Sequence, residues 1–408
     1  MANAGEVSKE DRLTRLLRSA ALVAAGIFLS RMLGLGRDIV FASVWGTTPA
    51  MAAYIIAFTA PNLLRSFFAE GAFSAGFVPV FTELIQKLGL TAAWSRATRV
   101  LSVLLIAVGG AAVIIGLIAF FMSAFVVSGG LAGLTFELIY RMIPYAVFIC
   151  LSGGLTCALT SFSRFSVPGF SPVILNITLI VTALFISPMW GDSPEERIRC
   201  LTFGVLLAGS LQLGVHLVAC AVNGLRLRFR PSFRAEEVRR VGTLMLPALF
   251  GAAAMQLNVA ADRLLAGALG SVATTSLYYS QRLAYFPVGM FGVALTMVCL
   301  PALSRAYTRD DPSAMKSTQA FGLRQALFMS VPVAAFLAVL QVPLVKLLFE
   351  HGIFSETGTA QTCWALSFFL PGIPAFVCAK VARAPYHARQ NTKTPVKITS
   401  ACLMLNIV

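Results

Sequence analysis

Charge is scarce in this sequence. Of its 408 residues only 12% are Asp, Glu, Lys or Arg, against roughly 25% in an ordinary soluble domain, so an ordinary soluble enzyme or binding module is excluded. Acid is scarcer than base, with 17 Asp and Glu against 32 Lys and Arg. Histidine occurs three times and never as HExxH, so the residues offer no basis for a hydrolytic zinc site. The eight cysteines (150, 157, 200, 220, 299, 363, 378 and 402) are scattered through apolar stretches without metal-like or redox-like spacing. They read as small packing residues, and neither a disulfide framework nor a metal centre is expected. With no nucleophile and base arranged together, the reading is of a protein that is not an enzyme and carries no cofactor.

What is there is hydrocarbon, with 58% hydrophobic residues and a mean hydropathy of +0.81. Apolar runs of about 20 residues, each enough to cross a bilayer core, recur along the whole length, which implies helices rather than a barrel. The pattern predicts an all-α polytopic membrane protein with ten crossings, at 19 to 46, 50 to 81, 100 to 126, 138 to 161, 170 to 189, 200 to 222, 241 to 266, 273 to 303, 322 to 345 and 360 to 383. An eleventh apolar run, KITSACLMLNIV, starts at 397 and does not reach a full crossing, so C-terminal helices are expected to be missing. The start of the chain resembles a signal peptide, but no small-residue cleavage site follows and Ser30 and Arg31 come next, so it reads as a retained first helix.

Basic residues set the orientation. The tail to Arg18 and the segments 82 to 99, 162 to 169, 223 to 240, 304 to 324 and 380 to 397 hold 23 of the 32 Lys and Arg, while the alternate loops hold almost none. The N-terminus is therefore expected in the cytoplasm of a bacterium, with the chain in its inner membrane. The same bias accounts for the net charge of +15 without a nucleic-acid partner. The segment 223 to 240, NGLRLRFRPSFRAEEVRR, reads as a solvated basic loop or as a contact for membrane lipid head groups.

A faint internal repeat suggests two lobes. Arg37 and Asp38 stand eleven and twelve positions after Gly26, and Asp262 and Arg263 stand at the same offsets after Gly251. One helix later in each half comes Arg65 or Arg282, followed by GAF or GMF and a proline. The expected domains are a lobe over 1 to 222, a basic linker over 223 to 240 and a second lobe over 241 to 408, making two pseudo-symmetric six-helix lobes around a central cavity.

Outside those basic segments, six arginines (31, 37, 65, 141, 263 and 282) fall inside the predicted crossings. A central Arg costs roughly 2.5 to 3.5 kcal/mol on insertion scales, so each needs a partner, water or a ligand. Local pairing is the simplest expectation: Arg37 with Asp38, Asp262 with Arg263, Arg65 with Glu70, and snorkelling for Arg141 and Arg263. The acids Asp38, Glu70 and Asp262 are too few to neutralise Arg31, Arg37, Arg65 and Arg282 together. The surplus points to an anionic guest, phosphate or pyrophosphate first and carboxylate second, because the guanidinium fork matches such oxygens and stays charged when partly desolvated. Gly34, Gly36 and Pro61 are expected to bend their helices, and Gly71 and Gly76 to permit close packing.

Four stretches carry a family resemblance: SRMLGLGRDIVFASVWG (30 to 46), AFTAPNLLRSFFAEGAFSAGFVPVFTEL (57 to 84), LYYSQRLAYFPVGMFGVAL (277 to 295) and RQNTKTPVKI (389 to 398). They resemble the MurJ (MviN) family of lipid II flippases, of the multidrug, oligosaccharidyl-lipid and polysaccharide exporter superfamily. That resemblance implies translocation of lipid II, the undecaprenyl-pyrophosphate-linked disaccharide-peptide, from the inner to the outer leaflet by alternating access. It also implies membrane lipids and other cell-wall synthesis proteins as candidate partners. The substrate-binding residues expected on this basis are Arg31, Arg37, Asp38, Asn62, Arg65, Glu70 and Arg282, with Asp262 as a candidate for ion coupling. The chain departs from the family pattern at Ala52, Gln281 and Asn391, where acids are usual, and at Ser66, where a second arginine is usual. An exporter of another polyprenyl-pyrophosphate saccharide, or a non-transporting assembly scaffold, is the alternative reading.

Overall fold

The structure is a computed structural model that describes residues 9–69, 71–127, 129–162, 164, 166–389, 391, 394–395, 397–399 and 401–402. Among them the elements are helical: α1 (Lys9–Trp45), α2 (Pro49–Ala57), α3 (Thr59–Phe68), α4 (Gly71–Leu88), α5 (Leu90–Phe121), α6 (Gly130–Met142), α7 (Pro144–Ser161), α8 (Ser166–Val181), α9 (Pro194–Val222), α10 (Glu236–Ala268), α11 (Ser271–Thr308), α12 (Pro312–Phe349), α13 (Glu356–Phe369) and α14 (Gly372–Ala388). Eight stretches are long and apolar enough to cross a membrane among the described residues, or nine when α13 and α14, bent by 45°, count as one. The first expected crossing, 19 to 46, coincides with α1 as far as Trp45. The all-α polytopic architecture is therefore the one that the hydropathy pattern predicts.

Two compact units can be distinguished: Met1–Arg37 with Ala57–Ala253, and Asp38–Ile56 with Ala254–Val408. The boundary falls inside α1, between Arg37 and Asp38, and inside α10, so each of these helices contributes to both units.

The first unit is built on α4, α5, α7 and α9. Phe73, Phe77 and Phe81 stand at four-residue spacing on α4, so one face carries a ladder of rings with centroids 5.1 Å apart at each step. Leu101 of α5 and Leu155 of α7 join them in a fully buried cluster. Since lipid tails are as apolar as leucine, close packing rather than water exclusion holds such helices together. A Cβ on Gly76 would lie 2.6 Å from the Val241 carbonyl oxygen, so this glycine does let α4 and α10 approach. Gly71 faces open space and serves no such contact. Val113, Ile114, Phe120, Phe121 and Phe125 are exposed beyond the same cluster, as a hydrocarbon-facing surface requires.

In the second unit α11 packs against α12, α13 and α14. Tyr279 is fully buried, with its ring centroid 4.9 Å from that of Phe349 and 5.5 Å from that of Phe354. Two tight turns meet beside it: Gly46 ends α1 at φ 53° and Gly352 follows α12 at φ 62°. The Ile353 N–H donates to the Ser43 carbonyl at 3.0 Å, and a Cβ on Gly46 would come within 2.8 Å of the Ile353 oxygen. Both positions need glycine for the left-handed backbone and for the close approach.

α1 continues unbroken through Gly34 and Gly36, because a missing side chain leaves the backbone hydrogen bonds intact. Pro61 lies in the first turn of α3, where its absent N–H removes no helical bond, so the chain breaks before the proline, at Phe58.

Candidate functional site

In the first unit, α1 presents Arg31, half-buried, to a cavity of about 340 Å³ lined also by Ile27, Ser30, Thr160, Pro168, Gly169 and Pro172. Two features of the sequence bring α8 against α1 here. Gly26 sits where a Cβ would be 2.6 Å from the Gly169 oxygen, and the Asn176 amide donates to the Ser30 carbonyl at 3.0 Å. Apart from Arg31, Ser30 and Thr160 the lining is apolar, so Arg31 is the one charged residue lining that space among the described residues. Six residues further along, Arg37 is buried.

Asn62 and Arg65 come together on α3. The Arg65 Nε donates to Asn62 Oδ1 at 3.3 Å, a contact set by their three-residue spacing on one helix face. Glu70, expected as the partner of Arg65, lies outside the described residues.

In the second unit three side chains close a ring. The Arg282 Nε donates to Asp38 Oδ2 at 3.0 Å, the Tyr278 hydroxyl donates to Asp38 Oδ1 at 2.9 Å, and the Arg282 Nη2 donates to the Tyr278 oxygen at 3.0 Å. The Asp38 carboxylate is 2% exposed while the Arg282 side chain is 48% exposed, so the acid is covered and the cation is presented. Arg282 also rests over the Tyr278 ring at 4.8 Å, and Arg263 at 5.3 Å. One tyrosine thereby orients two guanidinium groups.

Asp38 thus forms its ion pair with Arg282, far along the chain, in addition to being Arg37's sequence neighbour. Arg263 donates from Nη2 to Gln281 Oε1 at 2.8 Å and is half-buried. Asp262 is exposed on α10. Arg141 pairs with Glu137 at 2.7 Å on its own helix, a partner the sequence reading did not name. Glu137 also takes two bonds from Arg199 of α9, at 2.9 and 3.2 Å.

Tyr278 was not singled out by sequence reasoning, and Gln281 was noted only as a departure from the family pattern. Their signal is spacing: Tyr278, Gln281 and Arg282 lie at i, i+3 and i+4. At the three positions where acids are usual in the family, the structure shows distinct substitutes. Gln281 still accepts from Arg263 but adds no charge. Asn391 accepts from the Thr394 N–H at 3.2 Å, a turn contact that amide and carboxylate make alike. Ala52 is buried among apolar residues.

A helical chain of this design, with guanidinium groups set into its spans over a covered acid, has the architecture of a polytopic membrane transporter. Its fold is similar to an inward-facing multidrug resistance MATE family transporter of the MOP superfamily, with a TM-score of 0.74 over 92% of this chain and 84% of that one, at 14% identity. The chain belongs to the lipid II flippase MurJ family, whose model matches residues 41–408. It is 34% identical to a probable lipid II flippase MurJ of Vibrio cholerae, across 97% of this chain and 77% of that protein. It is 31% identical to the lipid II flippase MurJ of Burkholderia cenocepacia, across 96% and 77% respectively. A solved lipid II flippase MurJ in its inward closed conformation superposes with a TM-score of 0.77, at 25% identity, over 94% of this chain and 79% of that one.

Proposed function

We propose that this chain translocates lipid II from the inner to the outer leaflet of the bacterial cytoplasmic membrane by alternating access, with its N-terminus in the cytoplasm. The orientation rests on the Lys and Arg bias of alternate loops. The observation that carries the reading is the polarity of the Asp38–Arg282 pair. The acid is covered and the cation is exposed, oriented by a carboxylate on one side and a tyrosine ring on the other. A transporter for cationic drugs would present the carboxylate instead. An exposed, pre-oriented fork suits a pyrophosphate, and holding it in place before binding lowers the entropy lost on contact.

Arg31, Arg37, Asp38, Asn62, Arg65, Glu70 and Arg282 are the residues we assign to the head group. Asp262, exposed one position before Arg263, is assigned to ion coupling. In this role the protein binds and releases its ligand without breaking a bond, and occupancy offsets the repulsion among the arginines to bias closure.

The test is the amount of lipid II accessible at the outer face of cells depleted of their own flippase and supplied with this protein. Wild type should restore it, and Arg65→Ala and Arg282→Ala should each lower it. Arg282→Lys should fall short of wild type despite keeping the charge, because it loses the fork. A well-inserted wild type that restores nothing would move the reading to another polyprenyl-pyrophosphate saccharide or to a scaffold. Asp262→Asn should remove the dependence of rescue on an ion gradient; a gradient dependence that survives this change removes Asp262 from that role.

A further inference from the structure

The loop between α9 and α10 is fixed to the protein through its backbone. The Trp94 Nε1 of α5 donates to the Arg226 carbonyl at 2.9 Å, and the Arg230 N–H donates to the Ser102 hydroxyl at 2.9 Å. Trp94 and Ser102 are eight positions apart on α5, about 12 Å of helix. Residues 226 to 230 cover a similar distance, about 13 Å, when extended. The loop therefore runs alongside α5 as a strap.

Its side chains sort by position. Leu225 is buried and Leu227 half-buried in the core of the first unit, while Arg226, Arg228 and Arg230 are exposed. Towards the Ser102 end the apolar residues also leave the protein, with Phe229 63% exposed and Phe233 60% exposed. Arg99 is the last charged residue of α5 before an uncharged stretch that runs from Val100 to Phe121. The Ser102 end of the strap thus lies where the hydrocarbon begins. Two nearby acids are already engaged, Glu237 with Arg99 at 3.2 Å and Glu83 with Arg240 at 2.5 Å and Lys87 at 2.7 Å, while Glu236 is exposed at the start of α10. Among the described residues Arg226, Arg228, Arg230 and Arg234 form no ion pair.

We propose that this strap is a docking surface for anionic phospholipid head groups of the leaflet it adjoins, with Phe229 and Phe233 set into the upper acyl region and the arginines on the phosphates. A purely solvated loop would leave two phenylalanines facing water beside the membrane surface. Seated in the interface, the rings lose that exposure and the four cations meet a negative surface. The contact is independent of what the protein carries, and would stand if the transported molecule proved to be something else.

The full-length chain is placed in nanodiscs of phosphatidylcholine containing a small fraction of phosphatidylglycerol, with bromine on the acyl chains of one lipid or the other. Phe229→Trp reports which lipid is close, after subtraction of the quenching of the native tryptophans. One arginine near an anionic leaflet is worth roughly a fivefold preference, so brominated phosphatidylglycerol should be enriched around residue 229 by at least about that factor. Replacing Arg226, Arg228, Arg230 and Arg234 by Gln should abolish the enrichment, as should salt near 1 M, where the screening length is about 3 Å. The bonds to α5 use backbone atoms of the strap, so the Gln variant keeps its anchorage, and an unchanged thermal transition verifies that. Quenching that follows bulk lipid composition, or a residue 229 reached by aqueous acrylamide and by neither brominated lipid, overturns the proposal.

Discussion

The ring of Asp38, Tyr278 and Arg282 predicts a specific energetic coupling. Tyr278→Phe removes one hydroxyl and keeps the ring under Arg282 and Arg263, so the contacts at 4.8 and 5.3 Å survive. Two hydrogen bonds are lost. The one to Arg282 leaves a half-exposed donor that finds other acceptors at little cost. The one to Asp38 leaves a buried carboxylate oxygen without its donor, and bonds to charged groups are worth about 1.5–3 kcal/mol. The expected loss of stability is about 2 kcal/mol. In an Asp38→Leu background the hydroxyl has no carboxylate to serve, and the same Tyr278→Phe change should cost below about 0.5 kcal/mol. The coupling within this double-mutant cycle should therefore be about 1.5 kcal/mol.

The four proteins of the cycle would be unfolded in mixed micelles with a rising fraction of SDS and followed by circular dichroism. Equal losses from Tyr278→Phe with and without the carboxylate would refute the ring, whatever each single change cost. Arg282→Ala serves as an outer bound. Stripping a buried carboxylate of its cation costs about 3–5 kcal/mol, so this change should exceed Tyr278→Phe.

Three further outcomes follow from local geometry. Gly46→Ala and Gly352→Ala each force a side chain into the left-handed region against a nearby backbone, whereas Gly224 at φ 76° has open space, so Gly224→Ala should cost only about 1–2 kcal/mol and the other two more in thermal unfolding. Gln281→Glu converts the 2.8 Å bond from Arg263 into a charge-assisted one and should raise the thermal transition, while lowering flipping by adding an acid near the presented cation. Outside the membrane, the Ala314 N–H and the Ser313 hydroxyl hold the Asp311 carboxyl below its ordinary value of 3.8. The folded value is depressed, so the cap's contribution is full above that pH and is lost as pH falls through the folded value. Hydrogen exchange at the first turn of α12 should quicken at that acidic end in wild type and be indifferent to pH there in Asp311→Asn, once intrinsic rates are corrected.

The crossings were legible because a bilayer imposes one length on every span, and runs such as Val100 to Phe121 meet it without interruption. Helix–helix contacts were partly legible. Gly76 marks a true close approach and Gly71 does not, a difference decided by what stands opposite rather than by the glycine itself. The arginines were found as a class, since each is conspicuous against its apolar neighbours, but their partners were not. Asp38 lies 240 positions from Tyr278, and no local spacing encodes that meeting. The local signal that did exist, Tyr278 four residues before Arg282, was overlooked because a tyrosine in an apolar stretch looks like packing.

The place where counting charges along each helix misleads is instructive. Arg37 and Asp38 are adjacent in the sequence and would cancel in any tally of α1, yet the division into compact units passes between them. Asp38 belongs with α11, where it fixes Arg282, and Arg37 belongs with the unit that holds Arg31 and Arg65. Assigned by unit rather than by helix, the cations at 31, 37 and 65 fall in the first unit and Asp38 falls in the second. Which partner an acid meets is therefore read from the fold, as Asp38 with Arg282 shows, and not from a tally along its own helix.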